Sequence, residues 1–236
     1  MSRPVEPAEA PVRGRVGGTV RQRLQWMSLC LVIPAIAAMA LLVAAQYEAS
    51  HRQFESQLLA SSRLLGVSVD RELENGRTML NGLAMTASLQ AGDLDAFDKA
   101  ARFATRGRDG WIVLMDDQDR QLVNTLVPRG APLAEGHFPK DAWAELRRGR
   151  TRVSGLVTGT LARRPIIAID RPVLLNGRLY VLSYIQQPAA FQSIFVPKLL
   201  PPAWIGVILD QQGHVLARSI APEASLGRKA TPDLER

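Results

Sequence analysis

The side chains that most often carry catalysis are few in this chain of 236 residues, and they lie far apart. His51, His137 and His214 do not have the spacing of zinc ligands, and neither a nucleophile elbow nor a Gly-rich phosphate loop is present. The single cysteine, Cys30, lies within an apolar run, so thiol catalysis and disulfides elsewhere are excluded. The sequence therefore predicts no catalytic residue, no metal site and no cofactor.

A binding pocket is the better hypothesis, because the clearest hairpin of the chain brings polar residues together. Asn176-Gly177 tolerates the positive φ angles of a two-residue type I′ turn. With that turn, Asp170 faces Ser183 across two strands, while Tyr184 lies on the opposite face of the same hairpin. The candidate pocket residues are Asn124, Arg164, Asp170, Ser183 and Tyr184. The alternative is structural: a strand aspartate paired with a nearby arginine, and tyrosines that cover a sheet edge.

The elements that must position these residues begin with an uncharged apolar run, Trp26–Ala45. It has the length of the roughly 20 residues that cross a bilayer. Arg13, Arg15, Arg21 and Arg23 precede it without an intervening acid, and such a basic flank stays in the cytoplasm. We therefore predict an inner-membrane protein with a cytoplasmic N-terminus and a periplasmic C-terminal portion.

A cleaved secretory signal is the alternative to a permanent anchor. The basic start and the small residues Ala44 and Ala45 fit it, but the apolar run exceeds the about 7–15 residues of a typical signal. The chain also continues in a helical pattern without Pro or Gly until Gly66. An uncleaved anchor is therefore favoured, and a secreted binding protein would follow from cleavage.

The chain divides into four predicted segments. Residues 1–20 have the composition of a disordered cytoplasmic tail, and residues 21–47 form the membrane helix. Residues 48–200 hold a stalk helix and a first sheet module. Residues 201–236 begin a second module that is incomplete, which suggests either a fragment of a longer protein or a vestigial second unit.

The stalk helix is predicted from Glu48 to Leu89, where apolar residues recur in alternating steps of four and three. We call these positions the seam: Phe54, Leu58, Ser62, Leu65, Val69, Leu73, Gly76, Leu80, Leu83 and Ala87. The seam should pack on the protein's own sheet and, in a homodimer, on a second copy of the stalk.

The pattern changes to that of strands after Asp93, which is placed to cap a short helix through about Thr105. Strands are predicted at 111–115, 121–126, 151–157 and on both sides of the Asn176-Gly177 turn, with helices at 141–146 and 188–200. Together with the stalk they predict an α+β fold with an antiparallel sheet. The pattern that starts at Trp111 recurs at Trp204, about 93 residues later, which suggests one unit starting twice.

The net charge of +7 and the pI near 10.3 do not predict a nucleic-acid partner. The predicted topology places most of the chain outside the cytoplasm, and no basic stripe is interleaved with aromatic residues. Arg147, Arg148, Arg150 and Arg152 form one basic knot. A solvated rim is the favoured interpretation of this knot, with lipid headgroups or an anionic ligand as alternatives.

Several motifs in order resemble a known family. They are Trp111-Ile-Val-Leu, Asn124-Thr125, Pro128-x-Gly130-Ala-Pro132-Leu133, Arg164-Pro-Ile-Ile-Ala-Ile-Asp170-x-Pro172-Val, Asn176-Gly-Arg-x-Tyr180-Val-Leu-Ser183 and Pro201-Pro-x-Trp204. Behind a membrane helix and a long stalk, this order resembles a double Cache sensor region. The likeness is greatest to the periplasmic input of alphaproteobacterial sensor histidine kinases of the HWE type.

The resemblance implies two PAS-like modules on a shared stalk, with an unidentified small-molecule ligand in the distal module and signalling across the membrane. The sequence lacks the aromatic-and-Arg pattern expected of amine-binding Cache domains, so the resemblance names no ligand. A chemoreceptor or a cyclic-dinucleotide enzyme could carry the same input. The competing class is an anchored scaffold that uses the fold for dimerisation alone.

Overall fold

The computed structural model describes residues 20–133, 135–136, 138–195, 200–201 and 204–230. Its two compact units are Met1–Leu58 and Leu59–Arg236. Helix α1 (Val20–Ala84) begins in the first unit and includes the predicted span. Among the described helices it is long and apolar enough to cross a membrane, with a mean hydropathy of 2.1 in its most apolar window. The predicted tail, apart from Val20, lies outside the described residues.

The stalk part of α1 ends earlier than the predicted Leu89. After Ala84 the N–H groups of Met85 and Thr86 bond three residues back, and the Thr86 hydroxyl donates to the Leu83 carbonyl at 2.7 Å. These bonds tighten the last turn, and Thr86 then adopts an extended conformation. A short helix, α2 (Ala87–Gln90), follows the break, so the prediction of one continuous helix to Leu89 was wrong.

The second unit is an antiparallel sheet with helical cover, which confirms the predicted α+β class. Its elements after α2 are α3 (Leu94–Ala104), β1 (Gly110–Asp116), β2 (Gln121–Asn124), α4 (Lys140–Leu146), β3 (Arg152–Val153), β4 (Val157–Thr158), β5 (Pro165–Leu175), β6 (Arg178–Gln186), α5 (Ala189–Gln192), β7 (Val207–Leu209), β8 (Val215–Arg218) and α6 (Pro222–Ser225). The larger sheet runs β2-β1-β6-β5-β3, with β4 also paired to β5, and β7 pairs with β8 separately.

The two faces of the larger sheet bury different cores. On one face Ile112, Ile169 and Tyr184 pack with Leu80 and Leu83 of α1, as the seam predicts. The other face carries a second cluster, whose buried members are Trp111, Val113, Met115, Trp143, Leu146, Ile166 and Val181. Successive strand residues point to opposite faces, which places neighbouring positions in different cores.

The register of the central hairpin is the one predicted from its turn. Leu175 pairs with Arg178, and Asp170 pairs with Ser183. Asn176 and Gly177 take φ angles of 49° and 77°, the left-handed region that a type I′ turn requires. The turn therefore fixes which face of the sheet receives each polar side chain.

The hairpins β1–β2 and β7–β8 repeat one backbone pattern at a constant offset. Val113 pairs with Asn124 in the first hairpin, and Val207 pairs with Arg218 in the second. The register then shifts at the same place in both, after Leu114 and after Ile208. The N–H of Ile112 donates to the Thr125 hydroxyl at 2.9 Å. The corresponding contact, from Gly206 to the Ser219 hydroxyl, has the same length. By this offset Trp204 matches Gly110, so the predicted alignment of Trp111 with Trp204 is off by one position. The division of the chain into two modules stays a prediction.

Three other predicted elements are shorter than expected. The return strand 121–126 ends at Asn124, because the Asn124 side chain accepts the Leu126 N–H at 3.0 Å and turns the chain. The strand predicted at 151–157 splits into β3 and β4 around residues 154–156. Of the helix predicted at 188–200, the described part contains α5, and residues 196–199 lie outside the described residues.

Candidate functional site

A cavity of about 260 Å³ lies on the face of the larger sheet opposite α1. Its apolar walls come from β1, β4, β5 and β6 and include Trp111, Val113, Met115, Val157, Ile166 and Ile185. Its polar lining includes Gln121, Asn124, Arg152, Ser154, Thr158, Thr160, Asp170 and Ser183. This volume suits a small molecule rather than a polymer. An apolar concavity with a few convergent polar groups is the usual form of a ligand site.

The central polar group is Asp170, which is 1% exposed. Strand pairing places Arg152 of β3 and Ser183 of β6 on either side of it, in one row across three strands. The Ser183 hydroxyl donates to Asp170 Oδ1 at 2.7 Å, and Arg152 Nη1 lies 3.6 Å from Oδ2. The sheet register therefore assembles a carboxylate, a hydroxyl and a guanidinium at the cavity wall.

Burial raises the pKa of Asp170 to about 6, against the hydroxyl of Ser183 and the positive charge of Arg152, which both lower it. Removing the carboxylate from water penalises its charged form, and these two groups compensate this penalty only in part. A buried carboxylate with such a shift in a cavity is characteristic of functional sites. It can hold a ligand cation when ionised and donate a hydrogen bond when protonated.

Asn124, the third predicted residue on the cavity wall, is engaged in local hydrogen bonds. Its Nδ2 donates to Gln121 Oε1 at 2.8 Å, and its Oδ1 accepts the Leu126 N–H. The residue is buried at the end of β2. It therefore shapes the wall and retains one donor and one acceptor position for a ligand.

The other two predicted residues do not join the cavity wall. Tyr184 lies on the opposite face of β6, 2% exposed, with its ring against Gly76 and Gly110. This is the position that the hairpin register gives it, so its proposed contact with a ligand has no support from the geometry. Arg164 is exposed, with its guanidinium carbon 5.9 Å from the centre of the Trp111 ring, a cation–π distance.

Arg152 is a candidate site residue that the sequence did not reveal. The basic knot was expected to be a solvated rim, and Arg147, Arg148 and Arg150 are indeed exposed. Arg152 differs, because its side chain is 18% exposed and reaches Asp170. The signal that could have found it is the pairing of the third predicted strand beside Asp170, since that strand carries Arg152 and Ser154 on alternate positions.

These residues have the chemistry of a binding site. One carboxylate, one guanidinium and several hydroxyl and amide groups surround an apolar space. Within the described ranges, no group of three or more His, Cys, Asp or Glu side chains could hold a metal ion. The arrangement can thus recognise a small molecule with a charged or polar end and an apolar end.

Comparison with known proteins supports the fold and leaves the family open. No protein-family model and no curated protein matches the sequence. The sensory domain of the Campylobacter jejuni chemoreceptor Tlp3, solved with isoleucine bound, is similar over 80% of this chain and 78% of that chain, with a TM-score of 0.55 and 12% identity. The sensor domain of the Vibrio cholerae histidine kinase DctB matches over 80% and 74%, with a TM-score of 0.51 and 15% identity. The chain thus has the fold of sensory domains of chemoreceptors and histidine kinases.

Proposed function

We propose that this chain is the extracytoplasmic input region of a membrane receptor and that it senses a small ligand in the cavity at Asp170. The observation that carries the proposal is a buried carboxylate, only partly compensated by its neighbours, in the wall of a cavity that has both apolar and polar lining. The sensory-domain fold supports it. The motif order favours a two-component histidine kinase of the alphaproteobacterial HWE type, and a chemoreceptor is the alternative.

The wall chemistry defines the ligand class. Asp170 suits a protonated amine, and Arg152 suits a carboxylate or another anionic group on the same molecule. Trp111, Val113 and Ile185 offer an apolar surface to a short side chain. We therefore propose a small amino acid or a related amine as the ligand, a class to which the isoleucine of the Tlp3 structure belongs.

The test is a binding screen on the full chain in lipid nanodiscs, read by intrinsic tryptophan fluorescence and thermal unfolding. The panel contains the common L-amino acids, γ-aminobutyrate, short alkylamines and dicarboxylates. We expect at least one amine to bind, and Asp170→Asn to weaken its binding by about tenfold or more, because a hydrogen bond to a charged group is lost. Asp116→Asn, which changes a buried aspartate outside the cavity wall, should leave the affinity unchanged.

Two results would contradict this ligand class. If no amine binds, the cavity does not serve as an amine sensor. If an amine binds equally well to the Asp170→Asn protein, the ligand lies elsewhere or does not engage the carboxylate.

We further propose that α1 anchors the protein in the inner membrane, with its N-terminus in the cytoplasm and the sheet in the periplasm, and that two stalks pair. The apolar window of α1 and the arginines before it support the orientation. Downstream of Val69 the seam packs on the protein's own sheet. Ser62 and Leu65 continue the same helix face toward the span, where a second copy would cover them.

Cysteine cross-linking tests this pairing. In a Cys30→Ala background, Ser62→Cys on the seam should form an oxidised dimer faster than Arg63→Cys, which lies on another face of the same helix turn. The measurement is the rate of dimer formation in membranes on non-reducing gels. Equal rates at both positions, or faster cross-linking at Arg63→Cys, would exclude the seam as the dimer interface.

A further inference from the structure

The repeated hairpins share a turn built on one aspartate. In β1–β2, Asp116 Oδ1 accepts the N–H groups of Gln118 and Arg120, each at 3.0 Å. In β7–β8, Asp210 Oδ1 accepts those of Gln212 and His214 at 2.9 and 2.7 Å. One carboxylate oxygen in each hairpin is therefore used to close the turn.

The second carboxylate oxygen is used differently in the two hairpins. Asp116 Oδ2 is taken by the side chain of Arg120, whose Nε lies 2.8 Å away. At the matching position the second hairpin has His214, and its Nδ1 is 3.3 Å from Asp210 Oδ2. That oxygen accepts a shorter bond, at 2.9 Å, from the backbone N–H of Leu156. The second turn thus reaches a residue 54 positions away, outside its own hairpin.

Leu156 belongs to a segment that we call the strap, residues 152–158. Arg152, Ser154, Val157 and Thr158 of the strap line the cavity. The strap pairs with β5 at both ends, through β3 and β4, and the pairing is interrupted in between. Leu156 donates its N–H to Asp210 at this interruption. The turn of the second hairpin therefore holds the cavity wall where its strand pairing is weakest.

The strap and the turn are also in close steric contact. A Cβ at Gly155 would overlap the end of the exposed Gln212 side chain, which can move away, and would lie 3.0 Å from Asp210 Oδ2, a tight contact. The Leu156 side chain joins a core cluster that contains Ile208 and Leu216 of the second hairpin. The hydrogen bond is thus one part of a packed contact between the strap and the second hairpin.

We infer that Asp210 is a positioning residue of the ligand cavity, and that it couples the position of the strap to the second hairpin. In its ligand-dependent half the inference rests on the proposed function: a molecule that moves Arg152 also moves the Asp210 turn. The coupling is reciprocal: the free energy by which a bound ligand favours one position of the turn equals the free energy by which that position of the turn favours ligand binding. The two turns differ at one position. In the first hairpin the Arg120 side chain occupies the second oxygen of Asp116, whereas in the second hairpin His214 stands there and the second oxygen of Asp210 accepts the Leu156 N–H of the strap.

The test compares Asp210→Asn with Asp116→Asn in the full chain, without any added compound. Asparagine keeps an oxygen for the turn N–H groups and places a donor where Oδ2 accepted the Leu156 N–H. We expect the Leu156 amide to exchange hydrogen about tenfold faster in Asp210→Asn, since it loses an acceptor that was charged. In Asp116→Asn its exchange should be unchanged. Gly155→Ala attacks the same contact from the strap and should accelerate the exchange as well.

A second readout separates positioning from simple stability. The titration midpoint of Asp170, followed as the pH-dependent difference in stability between each protein and its Asp170→Asn partner, should fall toward its ordinary value in Asp210→Asn. Release of the strap admits water, and burial is the largest cause of the raised pKa of Asp170. Withdrawal of Arg152 acts in the opposite direction, but its charge is the smallest of the three causes, so the net change is a fall. The midpoint in Asp116→Asn should stay in place.

An Asp170 midpoint that is unchanged or raised in Asp210→Asn, or an unchanged Leu156 exchange rate, would overturn the inference. Both measurements are made on the unliganded protein, so they stand even if the screen of amines finds no ligand. Conversely, a ligand that requires Asp170 but is insensitive to Asp210→Asn would leave the proposed function in place and remove the coupling.

Discussion

Asp170→Asn is expected to stabilise the protein at pH 7.5, although it replaces a fully buried polar residue. The pKa of Asp170 is raised to about 6 in the fold, against about 3.9 in the unfolded chain. Two pH units of such a difference correspond to about 3 kcal/mol at neutral pH, as an upper limit for the gain. Asparagine resembles the protonated acid and can still accept the Ser183 hydroxyl through its Oδ1.

The direction of the pH dependence follows from the raised pKa. The folded protein binds this proton more tightly than the unfolded chain does, so the contribution of Asp170 is fully present below about pH 4. It is lost as the pH rises through about 6, and above that value the fold carries the whole penalty of the buried charge. The stability difference between Asp170→Asn and the wild type should therefore grow from pH 4 to pH 7 and then become constant.

Asp116→Asn is the matched control, because Asp116 is as deeply buried but its pKa shifts the other way. Burial acts to raise the pKa of Asp116, yet the Arg120 side chain and the backbone N–H groups of Arg120 and Gln118 together lower it below its usual range. Its contribution is present above the unfolded pKa and is lost as the pH falls. Asp116→Asn should therefore destabilise the protein at pH 7.5, and its effect should diminish toward acid pH.

The measurement is the free energy of unfolding by urea between pH 4 and pH 8 for the three proteins. Opposite signs for the two substitutions at pH 7.5 would verify the expectation. If Asp170→Asn is destabilising by a constant amount across this range, the carboxylate is well compensated in the fold and its burial has no cost. The expected gain would mean that the cavity keeps a destabilising charge, as sites selected for binding often do.

The sequence was sufficient for the hairpin and for the residues whose direction the hairpin sets. Asn176-Gly177 fixes the phase of two long strands, so that Asp170 and Ser183 meet on one face. The same register directs Tyr184 into the opposite core, away from the cavity. Local turn chemistry thus predicts well to which face of a sheet a strand residue points.

The rest of the site depends on contacts between distant segments, which have no local signal. Arg152 reaches Asp170 because β3 pairs with β5, and no short turn joins these two strands. The strap is interrupted because the Ser154 hydroxyl takes the Ala168 N–H while Leu156 turns to Asp210. The sequence alone predicts neither the register of such a short strand nor that Arg152 is partly buried while the other arginines of the basic knot are exposed.

The helix and the sheet approach each other at Gly76, and this contact supports the second large prediction. Gly76 of α1 lies against Ile169 and Tyr184, which pair across β5 and β6. A Cβ at Gly76 would lie 2.5 Å from Ile169 Cδ1 and 3.1 Å from Tyr184 Cδ1. Both side chains are almost completely buried and have little space to move. The residues that follow Ile169 and precede Tyr184 are Asp170 and Ser183, so the stalk touches the back of the strands that bear the cavity.

Gly76→Ala is therefore expected to destabilise the protein by about 1–3 kcal/mol through overpacking of this contact. Gly82→Ala is the control on the same helix, because a Cβ there meets nothing within 4 Å. It should stabilise the protein by up to about 1 kcal/mol, since alanine favours a helix over glycine. The free energy of urea unfolding of the full chain, followed by circular dichroism, measures both effects. If the two substitutions stabilise equally, the helix does not approach the sheet at Gly76. A ligand-driven shift at Asp170 and Ser183 would then have to reach the stalk through other contacts, such as those of Leu80 and Leu83.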